Sequence, residues 1–163
     1  MQIIGIDPGT AITGWGIIES DGTDLAMVAG GVVTTAAGTP LPDRLKIIYR
    51  ELSEIIAEWQ PEEAAVEELF FSKNAKTALA VGHGRGAALL ALANGDVPIA
   101  EYKPLEIKQA ITGHGGADKK QMQQMVKLLL NLEDIPRPDD AADALAVAIC
   151  HAHSARLRRL EVS

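Results

Sequence analysis

Apolar positions in the first third of the chain fall in short β-branched runs. Gln2–Asp7 stops abruptly at Pro8-Gly9 and predicts a strand. Residues 13–20 predict a second strand, Asp21-Gly22 a hairpin turn, and residues 25–35 a third strand. Tight connections between these runs predict an antiparallel meander. From Leu41 the period changes: Leu45, Ile48, Leu52, Ile55, Ile56 and Trp59 recur at helical spacing, so a helix is expected over Leu41–Trp59, closed by Pro61. A short fourth strand follows at 63–69, an Ala/Leu/Gly-rich helix at 74–93 and a fifth strand at 97–102. Pro104–Thr112 predicts a short helix, and residues 113–116 a glycine loop. Asp118 caps a helix reaching about Leu130, and Pro136-Arg137-Pro138 introduces a last helix from Asp139 to about Arg156. The order β-β-β-α-β-α-β-α-α describes one α/β domain over residues 1–156, a mixed sheet with helices on its faces, with a short frayed tail at 157–163.

Composition narrows the class. The chain has 163 residues, 47% of them hydrophobic, which is enough for a core without disulfides. Its single cysteine, Cys150, allows no internal bridge and fits a reducing compartment, so a cytoplasmic location is expected. No apolar run is long enough to span a membrane, and the acidic start MQIIGIDPG does not read as a signal peptide. A formal net charge of −7 argues at first against a nucleic-acid partner. Its distribution reverses that. Residues 1–70 carry a net −9, residues 71–130 a net +4 and residues 131–163 a net −2. The basic middle comprises Lys73, Lys76, Arg85, Lys103, Lys108, Lys119, Lys120 and Lys127. It is either a solvated surface or the phosphate-facing side of a nuclease.

Four carboxylates stand out by position. Asp7 closes the first strand before Pro-Gly, where it is either a turn residue or faces a crevice. Glu67 and Glu68 sit in the otherwise apolar AAVEELFF, and strand alternation turns one of them inward. An inward carboxylate there is costly unless paired. Asp140 and Asp143 share a helical face; Asp139 and Asp140 could serve the helix dipole, but Asp143 lies too far into the apolar AADALAVAI for capping to explain it. If the first and fourth strands are parallel neighbours, Asp7 and Glu67 lie side by side with the last helix across them. Clustered carboxylates need a cation among them, and hard oxygen donors suit Mg²⁺ or Mn²⁺.

Four blocks, GIDPGTAITGWGII, VEELFFSKNAKTALAVGHGRGAAL, LEIKQAITGHGGADKKQMQQMV and PDDAADALAVAICHAH, together resemble in order and spacing the bacterial RuvC-type Holliday-junction resolvases, over residues 2–153. The resemblance implies an RNase H-like fold, with the fourth and fifth strands parallel to the first. It implies a homodimer that nicks two strands of like polarity in four-way DNA junctions, using divalent metal, in recombination and repair. It places the catalytic carboxylates on Asp7, Glu67, Asp140 and Asp143, and the phosphate-approaching lysines on Lys108 and Lys119. It places a base-probing aromatic on Phe70 and the dimer-contacting segment on the 74–93 helix. Lys73, Asn74, Lys76, Arg85 and Lys120 are the further expected DNA contacts, and a branch-migration motor of the RuvA and RuvB type is the implied partner. The chemistry agrees: two Mg²⁺ per subunit, about 4 Å apart and replaceable by Mn²⁺, would stabilise both oxygens of an in-line hydrolysis. Lys120 beside Lys119 leaves open which lysine reaches the phosphate, and Asp139 could substitute as a ligand.

Other signals are weaker. Gly82, Gly84 and Gly86 lack the preceding strand of a dinucleotide motif, so close helix packing across a dimer is expected of them instead. Cys150, His151 and His153 fall on different faces of one helix and read as core and surface rather than zinc ligands. Trp15, Trp59 and Tyr102 are expected in the core, and His114 could approach DNA. The competing function is an actin-like phosphotransferase, suggested by GIDPGT but disfavoured by a length that leaves no second domain. A module that binds junctions without cutting is the non-enzymatic alternative, disfavoured by the complete carboxylate set.

Overall fold

Alternation along the first strand assigns the two faces of the sheet. In the computed structural model, which describes residues 1–68 and 74–162, β1 (Gln2–Asp7) turns Ile4 and Ile6 to one face and Ile3, Gly5 and Asp7 to the other. β2 (Ile12–Ser20) and β3 (Leu25–Thr34) complete the antiparallel meander. β4 (Glu63–Glu67) pairs parallel to β1 on its other side, and β5 (Ile99–Tyr102) parallel to β4, giving the order β3-β2-β1-β4-β5. The expected mixed five-stranded sheet is therefore present.

The face of Ile4 and Ile6 is covered by α1 (Leu41–Trp59) and α2 (Ala75–Asn94). Ile48, Leu52 and Ile56 of α1 and Ala88, Ala91 and Leu92 of α2 join Ile17, Val33 and Val66 in one apolar cluster. Each large side chain fully withdrawn from water there contributes about 1.5–3 kcal/mol. Trp15 and Trp59 are half-buried at its margin rather than inside it, as large indole side chains often are. Leu79 and Leu90 of α2 remain exposed.

The opposite face receives α5 (Asp139–Val162), flanked by α3 (Pro104–Thr112) and α4 (Lys119–Leu129). From Ala144 to Ala152 this helix is buried all round, because the sheet lies on one side and α3 and α4 on the other. It continues to Val162, six residues past the expected end near Arg156. Residues 157–162, read as part of a frayed tail, are helical, with Arg159 in the last turn complementing the helix dipole. Arg158 reaches the Tyr102 hydroxyl at 3.5 Å.

What lets α5 lie so close is a row of minimal side chains. Strand register aligns Gly30, Gly16, Gly5, Ala65 and Ala100 across all five strands. A Cβ on Gly5 would stand 2.0 Å from the Ala144 carbonyl oxygen, and one on Gly14 would stand 1.9 Å from that of Asp140. Helix backbone rests directly on strand backbone, which any side chain would prevent. Gly84 of α2 has a comparable role, but within the chain. Its Cβ would meet the Gly9 carbonyl oxygen at 2.7 Å, so its tight partner is the turn after β1 and not a helix across a dimer. Gly86 faces open space.

Two glycine substitutions separate these roles. Gly14→Ala is expected to lower unfolding free energy by at least ~1–3 kcal/mol, because α5 must retreat. Gly86→Ala, exposed on a helix, is expected to raise it by ~0.5–1 kcal/mol. Urea unfolding of both variants measures this; a wild-type midpoint for Gly14→Ala would contradict the packing described.

Candidate active site

Parallel pairing of β1 with β4, in register through Ile6 and Val66, puts Asp7 and Glu67 side by side at the carboxyl ends of adjacent strands. The turn that follows Asp7 is pinned by buried hydroxyls. Thr13 donates to the Gly9 carbonyl, Thr35 donates to the Thr10 carbonyl, and Thr10 donates to the Ala80 carbonyl of α2. Arg44 of α1 in turn donates to the Thr35 hydroxyl at 2.8 Å. In a nucleotide-binding reading of GIDPGT the Thr10 hydroxyl would face a phosphate; here it is engaged with the Ala80 carbonyl, holding the turn.

The first turns of α5 bring the other two carboxylates. Asp140 and Asp143 lie over β1 and β2 because Gly14 admits the Asp140 backbone. One carboxylate oxygen each from Asp7, Asp140 and Asp143 lie within 4.8 Å of one another, the one such acidic group with metal-binding spacing among the described residues. Glu67 flanks this trio and shares a hydrogen bond with Asp7. Glu68 takes no part in the trio, and its amide donates to the Tyr102 carbonyl at 2.8 Å. Asp139 points elsewhere, accepting from Gln123 and pairing with Lys119, so it is not one of the gathered carboxylates.

Burial and like charge act together on the cluster. The Asp7 carboxyl is pushed up to about 8, first by burial and then by the charges of Glu67 and Asp140 beside it. Burial also raises Glu67, against the opposing pull of the Asp7 hydrogen bond and the Lys108 ammonium. Asp143 is pushed up to about 6 by burial and by Asp7, with Lys119 opposing. Near neutral pH the cluster therefore holds a proton, a place that a divalent cation fills better. The donor set, all hard carboxylate oxygen, fits magnesium or manganese.

Two lysines face this cluster across a cavity of about 280 Å³. Its wall includes Glu67, Asp143, Lys108 of α3 and Lys119 of α4, and its apolar floor includes Ile107, Met122 and Val147. Lys119 opens α4, whose start is fixed by a capping box: Asp118 accepts from the Gln121 amide, and Gln121 accepts from the Asp118 amide. The Lys119 ammonium lies 3.3 Å from Asp139 and 4.0 Å from Asp143. Lys120, next in sequence, is exposed and does not line the cavity.

Other expected DNA contacts are more scattered. Asn74 caps α2 by accepting from the Lys76 and Thr77 amides, and Lys76 is exposed. Arg85 is turned to the sheet edge, where it pairs with Glu101 at 2.6 Å with only 15% of its side chain exposed, so it ties α2 to β5 instead of offering a free cation. Phe70 and Lys73 lie outside the described residues. His151 is buried between the Tyr102 hydroxyl, 2.7 Å from its Nδ1, and Glu63 at its Nε2; His153 Nδ1 lies near the Ala110 carbonyl. These contacts are structural, as expected of that segment. His114 is exposed in the 113–116 loop. Sequence reasoning missed the strand glycines and the hydroxyl network. An unneeded glycine inside a strand was the available signal for the first.

Carboxylates gathered for divalent cations, with lysines placed to offset a phosphate's charge, are the equipment of a metal-dependent nuclease on an RNase H-like sheet. The chain belongs to the RuvC family: the family described as crossover junction endodeoxyribonuclease RuvC matches it over residues 3–151. The RuvC of Chloroflexus aggregans is 59% identical over the full length of both chains, and that of Roseiflexus sp. is 56% identical over 98% of this chain and 96% of its own. A structure of T. thermophilus RuvC in complex with Holliday junction substrate is 38% identical and superimposes with a TM-score of 0.92, covering 97% of this chain and 96% of that one. The yeast mitochondrial Holliday junction resolvase, 12% identical with a TM-score of 0.66, shares the fold.

The raised carboxylates set a pH dependence. Unfolded, they would release protons near pH 4; folded, Asp7 keeps its proton to about pH 8. The folded metal-free chain thus binds more protons across that window, and its stability falls as pH rises through it. Divalent cations should raise Tm more at pH 8.5 than at pH 6, and Asp7→Asn should flatten the metal-free pH profile. Thermal melts with and without Mg²⁺ test this; an increment independent of pH would contradict it.

Proposed function

We propose that this chain resolves four-way DNA junctions by metal-dependent hydrolysis of one phosphodiester in each of two strands of like polarity. The observation that carries this reading is the convergence of Asp7, Asp140 and Asp143 with Lys119 on one side, in a cleft that Glu67 and Lys108 also line. Asp7 lies beside Glu67 on one flank and Asp140 and Asp143 on the other, so these four carboxylates would together hold the divalent cations. Ions held there would supply an activated water and charge stabilisation on the attacking and leaving oxygens. The protein's own part is positional. The pinned turn fixes Asp7, the strand glycines set the approach of Asp140 and Asp143, and α3 and α4 bring the lysine backbones to the cleft before substrate arrives. Lys108 and Lys119 would meet the scissile phosphate without changing protonation state.

In this proposal Mg²⁺ is the working ion, two per subunit, and Mn²⁺ substitutes. Two copies of the chain act as a homodimer, which gives symmetric nicks. Phe70, Lys73, Asn74, Lys76 and Lys120 supply further DNA contacts, and a motor of the RuvA and RuvB type delivers the junction during recombination and repair in the cytoplasm. The sequence likeness to the junction-bound T. thermophilus protein supports the substrate. No helix among the described residues is long and apolar enough to cross a membrane.

The direct test offers the protein a synthetic four-way junction, a linear duplex and ATP, each with Mg²⁺ or Mn²⁺. Paired symmetric nicks confined to the junction are expected; ATP turnover, or tight junction binding without nicks in either metal, would overturn the proposal. Asp7→Asn should abolish cutting while binding persists. Lys108→Ala and Lys119→Ala should each slow single-turnover cleavage by about 10²-fold, the usual effect of removing one charge-stabilising donor.

A further inference from the structure

We propose that Asp139 is a positioning residue for Lys119, a seat that keeps the ammonium at the cleft when its neighbour Asp143 is taken by a metal ion. The inference rests on the proposed role of Lys119 at the phosphate. The Lys119 Nζ lies between two carboxylates, 3.3 Å from Asp139 Oδ2 and 4.0 Å from Asp143 Oδ2. Their situations differ. Asp143 is one of the gathered carboxylates, whereas Asp139 stands outside the trio at the rim. Asp139 is itself held: its other oxygen, Oδ1, accepts from Gln123 Nε2 at 3.2 Å. Lys119 and Gln123 are four residues apart on α4 and so share one helical face. Asp139 therefore bridges two side chains of α4 to the first residue of α5, the helix that carries Asp140 and Asp143.

Once Asp143 served a cation, its carboxylate would no longer attract the Lys119 ammonium as it does here at 4.0 Å. A lysine with four flexible methylenes would then swing into solvent unless a second acceptor retained it. Asp139 is placed to do so from outside the coordination cluster. Lys119 and Asp139 are both more than half exposed, with 58% and 53% of their side chains accessible, so the pair adds little to stability. Its effect is on where the ammonium spends its time.

The test is a double-mutant cycle of Asp139→Asn and Lys119→Ala, read as single-turnover junction cleavage and, separately, as junction Kd. Asp139→Asn alone should slow cleavage by up to about fivefold, the population ratio an exposed pair can impose. Its junction Kd should be unchanged or tighter, since a negative charge near DNA is removed. In the Lys119→Ala background the same substitution should have no effect on the rate, and Asp139→Glu should restore most of it. Loss of a dipole interaction at the α5 N-terminus, or of a metal ligand, would instead slow both backgrounds alike. That result, or a wild-type rate for Asp139→Asn beside a slow Lys119→Ala, would overturn the inference alone. A wild-type rate for Lys119→Ala would overturn the role of Lys119 as well.

Discussion

Everything at the cleft depends on how closely the backbone of α5 approaches the backbone of β1 and β2. A helix packed on an ordinary sheet is held off by the side chains between them. Here Gly5, Gly14 and Gly16 remove that spacer, and the Asp140 and Ala144 carbonyls occupy the space where strand Cβ atoms would stand. Asp140 and Asp143 are consequently brought down to Asp7. Packing thus sets the carboxylate spacing, and the rigidity of a close-packed interior maintains it without substrate.

The same closeness is destabilising in the metal-free protein. Four carboxylates share a half-buried space; burial and the neighbouring charges push Asp7 up to about 8, and burial raises Glu67. Lys119 supplies partial compensation from the rim. Such an arrangement makes sense where a divalent cation completes it, and the surrounding fold carries the cost through two apolar clusters on either face of the sheet. The net charge of −7 then loses its apparent meaning. Asp7, Asp140 and Asp143 are gathered at metal-binding spacing, and Asp43, Glu51, Glu54 and Glu58 lie on α1, packed on the face of the sheet away from the cleft.

Much of the fold was legible because local signals agreed with global packing. α1 and α3 run over the expected residues, since a proline opens each and a left-handed residue, Gln60 or Gly113, ends it. β5 begins at Ile99 instead of Val97 because the Val97 amide bonds to the Leu92 carbonyl and belongs to the end of α2. The carboxylates could be singled out because a charge inside an apolar run has few structural explanations. The side-chain choices at the rim could not. Lys119 and Lys120 are chemically alike, and only the helical phase fixed by Asp118 turns the first toward Asp143. Arg85 reads as a free cation until β5 places Glu101 beside it, and Gly84 reads as a helix contact until the fold brings Gly9 against it.

The central claim is that these packed helices and strands build a divalent cation site around Asp7. Anomalous scattering from crystals grown with Mn²⁺ tests it most directly. Manganese bound by Asp7, with Asp140, Asp143 and Glu67 around it, is the expected result. Manganese bound without Asp7, or a cluster that takes up none at pH 8.5, would contradict it.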